Sequence, residues 1–369
     1  MKILLLAGEE SGAVYAERLK AEILKLRPDA VFKTYQDFFK TEDLGVFGIW
    51  EVAKRILFFL RVKRTMERII EEWRPDRVVT IDYPGMNLKL ARFAKERGIP
   101  AIHLVCPQVW AWHKNRIPKI PHQMTKLLCF FPFEPEIFKE YESPDFTAKF
   151  IGHPMADIFN SERGGCNARL PHDAKKRKVA ILPGSRAGEV MRHTPRLVEA
   201  MEIVAAKVPN AEFVIPAANA RAEKLIRKYI AHCTANVQVV QGKAREVLRA
   251  CECGAVASGT ATLEAALAGL PTVIVYAVGP FLAAFLRRAI TGVKHVGLAN
   301  IIAEKSGAAA PLPELLQENF TAGAVADLLV KWLADPVARM ATMSALEATM
   351  RQLSSTSGAL ELAAKEITA

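Results

Sequence analysis

Four short stretches of the chain carry residues whose types and spacing could do chemistry. In "ILPGSRAGEV", Ile181 to Val190, an apolar run enters Pro-Gly-Ser-Arg and then a helical pattern. A strand that meets a small-residue turn at a helix start presents backbone N–H groups to an anion. Gly184 and Ser185 would offer N–H and hydroxyl donors, and Arg186 a planar fork matched to two phosphate oxygens. A turn with a solvated arginine is the plainer alternative. In "ASGTATLEAALAGLP" the turn Ser258-Gly259-Thr260 opens a helix with Ala261 and Thr262, and Glu264 stands in its first turn. Small residues there let a pyrophosphate approach the backbone, and a glutamate one turn along can take both ribose hydroxyls. A capping box from Thr260 or Ser258 explains part of the pattern without a ligand. In "TIDYPGMN", Asp82 ends an apolar run and could accept a proton from a substrate hydroxyl, or cap the helix that follows. In "AGEESGAVYAERL", Gly8 and Gly12 allow a tight turn and Ser11 can cap a helix, with or without a ligand.

The elements that must position these residues are legible in the patterning. Val-, Ile- and Leu-rich runs ("KILLLAG", "DRVVTID", "AIHLVCP", "KLLCFFPF", "AKFIGHP") alternate with helical patterns, and "KVAILPG", "AEFVIPA", "VQVVQG", "CGAVASG" and "PTVIVYA" repeat the rhythm. Strands apolar on both faces and separated by helices indicate parallel sheets covered on both sides. The expected fold class is therefore α/β, with two doubly wound, Rossmann-like domains. Ligands then bind outside the carboxyl ends of strands, where all four stretches lie. The seam is expected within Asn160 to Lys178, giving domains 1–165 and 166–340 and a C-terminal helical stretch 341–369 that packs back on the first domain or on a partner subunit. The latter leaves a homodimer open.

A chain of 369 residues suits two domains. Fifty Lys and Arg against 39 Asp and Glu give a net charge of +11, which favours anionic partners. The basic residues are spread out and form no nucleic-acid recognition module, so nucleic acid is not expected as a partner. The six cysteines are scattered, with no zinc spacing, which suits a reducing cytoplasm. From Ala265 to Leu286, 22 residues run without a charge, but Gly269, Pro271, Gly279 and Pro280 cut them into helix end, loop, strand and new helix. There is no G-x-G-x-x-G opening the chain, no G-x-x-x-x-G-K-[ST], no H-E-x-x-H, no G-x-S-x-G and no D-x-D pair, so no cofactor or metal is expected.

The order and spacing of "AGEESG", "TIDYPGMN", "HLVCPQVWAWHKNRIPKI", "FIGHPMAD", "ILPGSRAGEV", "SGTATLEAALAGLPTVIVY" and "LANII" resembles the lipid-A-disaccharide synthase family over nearly the whole chain. That resemblance implies a GT-B-type glycosyltransferase whose two domains face a central cleft. It implies transfer of 2,3-diacylglucosamine from UDP onto the 6-hydroxyl of 2,3-diacylglucosamine 1-phosphate, with inversion and release of UDP. Asp82 becomes the general base, Arg186 and Asn300 match residues important for activity, and Glu264 holds ribose. Gly184, Ser185, Ser258, Gly259, Thr260 and Ala261 line the UDP site. Glu9, Ser11, Gly12, Trp112 and Arg116 fall on the acceptor side. The chain departs from the family's "SGD" at Ala13, from "PDFN" at Gly85 and Met86, and from the arginine usual after the tyrosine of "VxxY" at Ala277.

Acylated substrates imply peripheral contact with the cytoplasmic face of the inner membrane. "AKRILFFLRVKRTMER" offers Phe58, Phe59 and neighbouring aliphatics beside Arg61 and other cations, the composition of an interfacial helix. A core-packing helix with a solvated basic edge is the alternative; "FLAAFLRRAI" is a second candidate, and Trp110 and Trp112 could line an acyl groove. Two other classes stay open: a GT-B enzyme with another acceptor or an epimerase, and a degenerate nucleotide- or lipid-binding paralogue.

Overall fold

The computed structural model describes residues 1–8, 10–39, 56–112, 114–165, 176–280, 282, 283, 288 and 292–369. The chain forms two compact units, Met1–Asp157 with Leu353–Ala369, and Ile158–Gln352. Each is built on a parallel six-stranded sheet.

In the first unit the strands are β1 (Lys2–Ala7), β2 (Val31–Thr34), β3 (Arg77–Ile81), β4 (Ala101–Leu104), β5 (Lys126–Cys129) and β6 (Thr147–Phe150), in the order β2-β1-β3-β4-β5-β6. Their side chains are apolar on both faces because helices cover both. Helices Ile56–Trp73 and Pro84–Lys95 bury Val62, Met66, Leu90 and Ala94 on one side. Helix Glu10–Leu26 and the C-terminal helix Ala359–Thr368 bury Leu19, Ile23, Ala363 and Ile367 on the other. The Asp157 carboxylate accepts the Ala359 N–H at 2.6 Å and so holds the start of that last helix.

The second unit carries β7 (Arg177–Leu182), β8 (Ala211–Ala217), β9 (Val237–Gln241), β10 (Cys253–Ala257), β11 (Thr272–Tyr276) and β12 (Glu314–Leu316), in the order β12-β11-β10-β7-β8-β9. Helices Ala187–Lys207 and Ala322–Ala334 cover one face, Ala244–Ala250 and Thr260–Leu267 the other. Helix Pro336–Arg351 belongs to this unit, where Arg339 pairs with Glu252, itself gripped by Arg177 at 2.7 and 2.9 Å. Of the C-terminal stretch, only the final helix joins the first unit. The uncharged run resolves as the end of helix Thr260–Leu267, a turn and β11, and among the described residues no helix is long and apolar enough to cross a membrane.

The strand orders place the ligand edges. Chain direction across each sheet reverses between β1 and β3 in the first unit and between β7 and β10 in the second. At such a switch point the loops diverge to opposite faces and leave a crevice at the carboxyl ends of the strands.

Candidate functional site

At the first switch point β3 ends in two adjacent left-handed residues, Asp82 (φ 49°) and Tyr83 (φ 53°). Each such non-glycine residue costs on the order of 1–3 kcal/mol and persists only where its surroundings over-determine it. Asn87, fully buried one turn into the following helix, does this. Its amide nitrogen donates to the carbonyls of Leu6 at 3.2 Å, Ile81 at 3.0 Å and Asp82 at 2.8 Å, and its oxygen accepts the Tyr35 hydroxyl at 2.9 Å. The ends of β1 and β3 are thereby tied to one side chain. Gly8 completes the packing: a Cβ there would lie 2.5 Å from the Tyr83 ring, so only glycine fits beneath it. Asp82 is half-buried, and burial raises its carboxyl above the usual range, with the Tyr83 backbone N–H opposing. That is the direction a general base for a sugar hydroxyl needs.

Asn87 was not among the residues expected to act, and its signal, a polar side chain one turn past a strand-end aspartate, is weak. Asn87→Ala is expected to lower stability by about 3 kcal/mol, because it strands buried carbonyls and a hydroxyl together. Thermal or denaturant unfolding checks this.

At the second switch point Gly184 has φ 121°, and a Cβ there would meet Glu189 at 2.6 Å. Glycine is required twice over, by backbone conformation and by space. Glu189 accepts the backbone N–H groups of Ser185 at 3.2 Å and Arg186 at 3.3 Å, and pairs with the Arg186 guanidinium at 3.1 Å. A carboxylate therefore occupies the Ser185 amide offered above to a phosphate, and the Arg186 amide beside it. Across the crevice Gly259 (φ 151°) turns the chain into helix Thr260–Leu267, while the Ser258 hydroxyl donates to the Val296 carbonyl at 3.2 Å. Gly184, Ser185, Arg186, Ser258, Gly259, Thr260, Ala261 and Glu264 all line one pocket of about 400 Å³, with Glu189, Pro216 and Gly242. Glu264 is half-buried, and among the described residues no protein donor reaches its carboxylate. Burial raises its carboxyl, with positive Arg245 opposing. An unsatisfied carboxylate in a pocket suits a ligand with hydroxyl donors.

His193, another residue not anticipated, is fully buried on helix Ala187–Lys207. One ring nitrogen lies 2.8 Å from the Pro183 carbonyl and the other accepts the Ala277 N–H at 3.1 Å. It fastens the end of β7 to the end of β11. Ala277 contributes through its backbone.

Several expected site residues sit elsewhere. Asn300, matched to a residue important for activity, does not line the pocket. It is fully buried; its nitrogen donates to the Leu312 carbonyl and Glu314 Oε1, both at 2.8 Å, and its oxygen accepts the Leu312 N–H at 3.0 Å. Glu314 also accepts the Gly297 N–H at 3.0 Å, so the pair sets the start of helix Leu298–Lys305. The Asn300 amide is thus engaged within the unit, on Leu312 and Glu314.

Phe59, expected to face a membrane, is 7% exposed in the core, and Phe58 packs edge-on against it at 5.5 Å between ring centres. The outward face of that helix carries Ile56, Leu57, Leu60, Arg61, Arg64 and Arg68 instead. Trp110 is buried, its indole N–H donating to Glu134 at 3.0 Å, so it lines no groove; Trp112 is 38% exposed. Arg116 is exposed on the short helix Lys114–Lys119, and Gly12 is buried against Ala7 and Ile81. Glu9 lies outside the described residues, as does the Ser11 side chain and most of "FLAAFLRRAI".

Cys106, Cys129 and Glu134 bring three ligand atoms within 4.8 Å of one another. Glu134, pushed by burial up to about 8, already accepts from Trp110 and from the Phe131 N–H at 3.1 Å. Both thiols are raised, Cys106 by its contact with Cys129 and by burial, Cys129 by burial. Metal binding needs thiolates, which this environment disfavours, so the trio fits poorly as a metal site.

Comparison with known proteins follows the geometry. The model of the family "Lipid-A-disaccharide synthetase" matches residues 3–365. The chain is 31% identical over 366 residues to a lipid-A-disaccharide synthase from Geobacter metallireducens, covering 96% of this chain and 93% of that protein. Among solved structures it resembles the UDP-GlcNAc 2-epimerase from Neisseria meningitidis bound to UDP-GlcNAc, with a TM-score of 0.61, 13% identity, and coverage of 100% and 98% of the two chains. It also resembles a UDP-forming α,α-trehalose-phosphate synthase from Burkholderia vietnamiensis, with a TM-score of 0.56, 14% identity and full coverage of both chains. At that identity the structural likeness speaks for the fold alone. The fold is of GT-B type, and the protein is a glycosyltransferase. The chain belongs to the lipid-A-disaccharide synthase family.

Proposed function

We propose that the protein transfers 2,3-diacylglucosamine from UDP to the 6-hydroxyl of 2,3-diacylglucosamine 1-phosphate, with inversion, to give the disaccharide 1-phosphate and UDP. The observation that carries the donor side is the single pocket at the β7/β10 switch point, lined by the glycine turns, Arg186 and the unsatisfied carboxylate of Glu264. The amides and Arg186 receive the diphosphate, with Glu189 giving way to it, and Glu264 takes the ribose hydroxyls. Asp82 removes the acceptor hydroxyl proton as the oxygen attacks the anomeric carbon, and the departing UDP carries the bonding electrons and negative charge. The UDP-sugar is a substrate, so the reaction calls for no resident cofactor or metal.

The test is to incubate the protein with both substrates in neutral-detergent micelles and follow the disaccharide phosphate by mass spectrometry. UDP binding without product would point to another acceptor or a degenerate binder. Absence of UDP binding would remove the donor assignment itself.

The acyl chains call for peripheral contact with a bilayer, which we place on the cytoplasmic face of the inner membrane. Leu57 is 79% exposed and Ile56 51%, on the same outward face as Arg61 and Arg64. Apolar side chains flanked by cations suit insertion at an anionic lipid surface. Leu57→Glu with Leu60→Glu should weaken sedimentation with phosphatidylglycerol vesicles by about tenfold or more and leave thermal stability nearly unchanged, since both side chains already face water.

A further inference from the structure

The first unit holds a cavity that the reaction scheme has not used. It has a volume of about 340 Å³ and begins at Pro84 and Gly85, directly after the Asp82–Tyr83 turn. Its walls are of two kinds. Leu88, Val109 and Ile120 give an apolar side, each 9% exposed or less. Lys89, Arg116 and Lys119 give a cationic side. Lys89 projects from the helix that Asp82 and Tyr83 introduce; Arg116 and Lys119 come from the short helix Lys114–Lys119. Among the described residues no carboxylate lines this cavity and none of the three cations takes part in an ion pair. Glu96, just past the C-terminal end of the helix that carries Lys89, is paired with Arg92 at 2.7 Å. Three cations around one cavity, with no carboxylate among its described lining residues, make a surface suited to an anion.

We infer that this cavity seats the anomeric phosphate of the acceptor, with Lys89 and Lys119 joining Arg116 as specificity-determining residues; this rests on the proposed function. Two lysines and one arginine supply charge-assisted hydrogen bonds to a phosphate's oxygens. The apolar wall accommodates the start of an acyl chain. Because the cavity begins at Pro84 and Gly85, directly after the turn that presents Asp82, anchoring the phosphate at C1 fixes the sugar ring where its 6-hydroxyl can meet the base. Discrimination then comes from the acceptor's charge: an unphosphorylated acceptor would leave the three cations uncompensated.

The experiment compares wild type with Lys89→Ala/Lys119→Ala in neutral-detergent micelles. The readouts are kcat/KM for 2,3-diacylglucosamine 1-phosphate and for 2,3-diacylglucosamine, and KM for the UDP-sugar. The preference for the phosphorylated acceptor should fall about 100-fold in the double variant, each lost charge-assisted contact removing about tenfold, while the donor's KM stays put. Lys119→Arg in the Lys89→Ala background should recover part of that preference. An equal loss for both acceptors, or an unchanged preference, overturns the assignment. So does a variant that loses only phosphatidylglycerol vesicle binding, since the cations then serve a lipid surface. Titration of glucosamine 1-phosphate followed by NMR separates this inference from the reaction: the wild type should bind it and the double variant should not, even if no disaccharide forms. Absence of binding by the wild type overturns the inference and leaves the proposed reaction standing.

Discussion

Asp82→Asn should slow disaccharide formation severely, with kcat reduced by about 10²–10⁴-fold, the usual contribution of a positioned base. The amide keeps the shape of the side chain and cannot accept a proton from an alcohol. The strained Asp82–Tyr83 turn is held by Asn87 and by the backbone, so the variant should fold and UDP binding by the second unit should be unaffected. A pH dependence accompanies the effect. Burial raises the Asp82 carboxyl above the ordinary value. The working form is the deprotonated one, so activity is present above that raised pKa and falls as pH drops through it. The acid limb of kcat/KM in the wild type should therefore lie above the usual aspartate range, and should vanish from the residual activity of the variant. Turnover retained within about tenfold, or an acid limb at an unshifted aspartate value, would assign the base elsewhere.

Arg186→Ala is expected to reduce kcat by about 10²–10³-fold, the scale for losing one donor to a developing negative charge. Arg186→Lys should recover only part, because an ammonium keeps the charge and loses the two-pronged geometry. The ion pair with Glu189 makes a sharper prediction. With Arg186 gone, Glu189 stands in the donor pocket without its cation and repels a diphosphate. Arg186→Ala/Glu189→Gln should thus bind UDP better than Arg186→Ala alone, and a double-mutant cycle by titration calorimetry measures that coupling. Strict additivity would mean that Glu189 never meets the diphosphate.

Much of this was legible in the residues in order. The alternation of apolar runs and helical patterns implied two parallel sheets, since strands apolar on both sides need helices on both sides. The glycine turns and acids at the ends of those strands marked where a ligand would sit, because all strands of a parallel sheet point their carboxyl ends to one edge. For this reason Arg186 and the seven residues expected at the UDP site, drawn from segments about Gly184 and Glu264, line one pocket.

Other features depend on partners far along the chain. Asn300 reads as a functional polar residue until its amide is seen joined to Leu312 and Glu314, and the Ser185 and Arg186 amides read as free until Glu189 is seen to hold them. The rotation of helix Ile56–Trp73 was recoverable from its own spacing, since buried Phe59, Val62, Met66, Ile69 and Ile70 recur every three or four residues and turn Leu57 outward. Strand order was not recoverable in that way. Apolar periodicity determines that a strand is buried but not which neighbour it pairs with, so only the tertiary structure decided that β1 lies against β3 and β7 against β10. Those two pairings put Asp82 and the Arg186 turn at crevices, because hydrogen bonding between strands is a property of backbones brought together by the whole core and is written in no single segment.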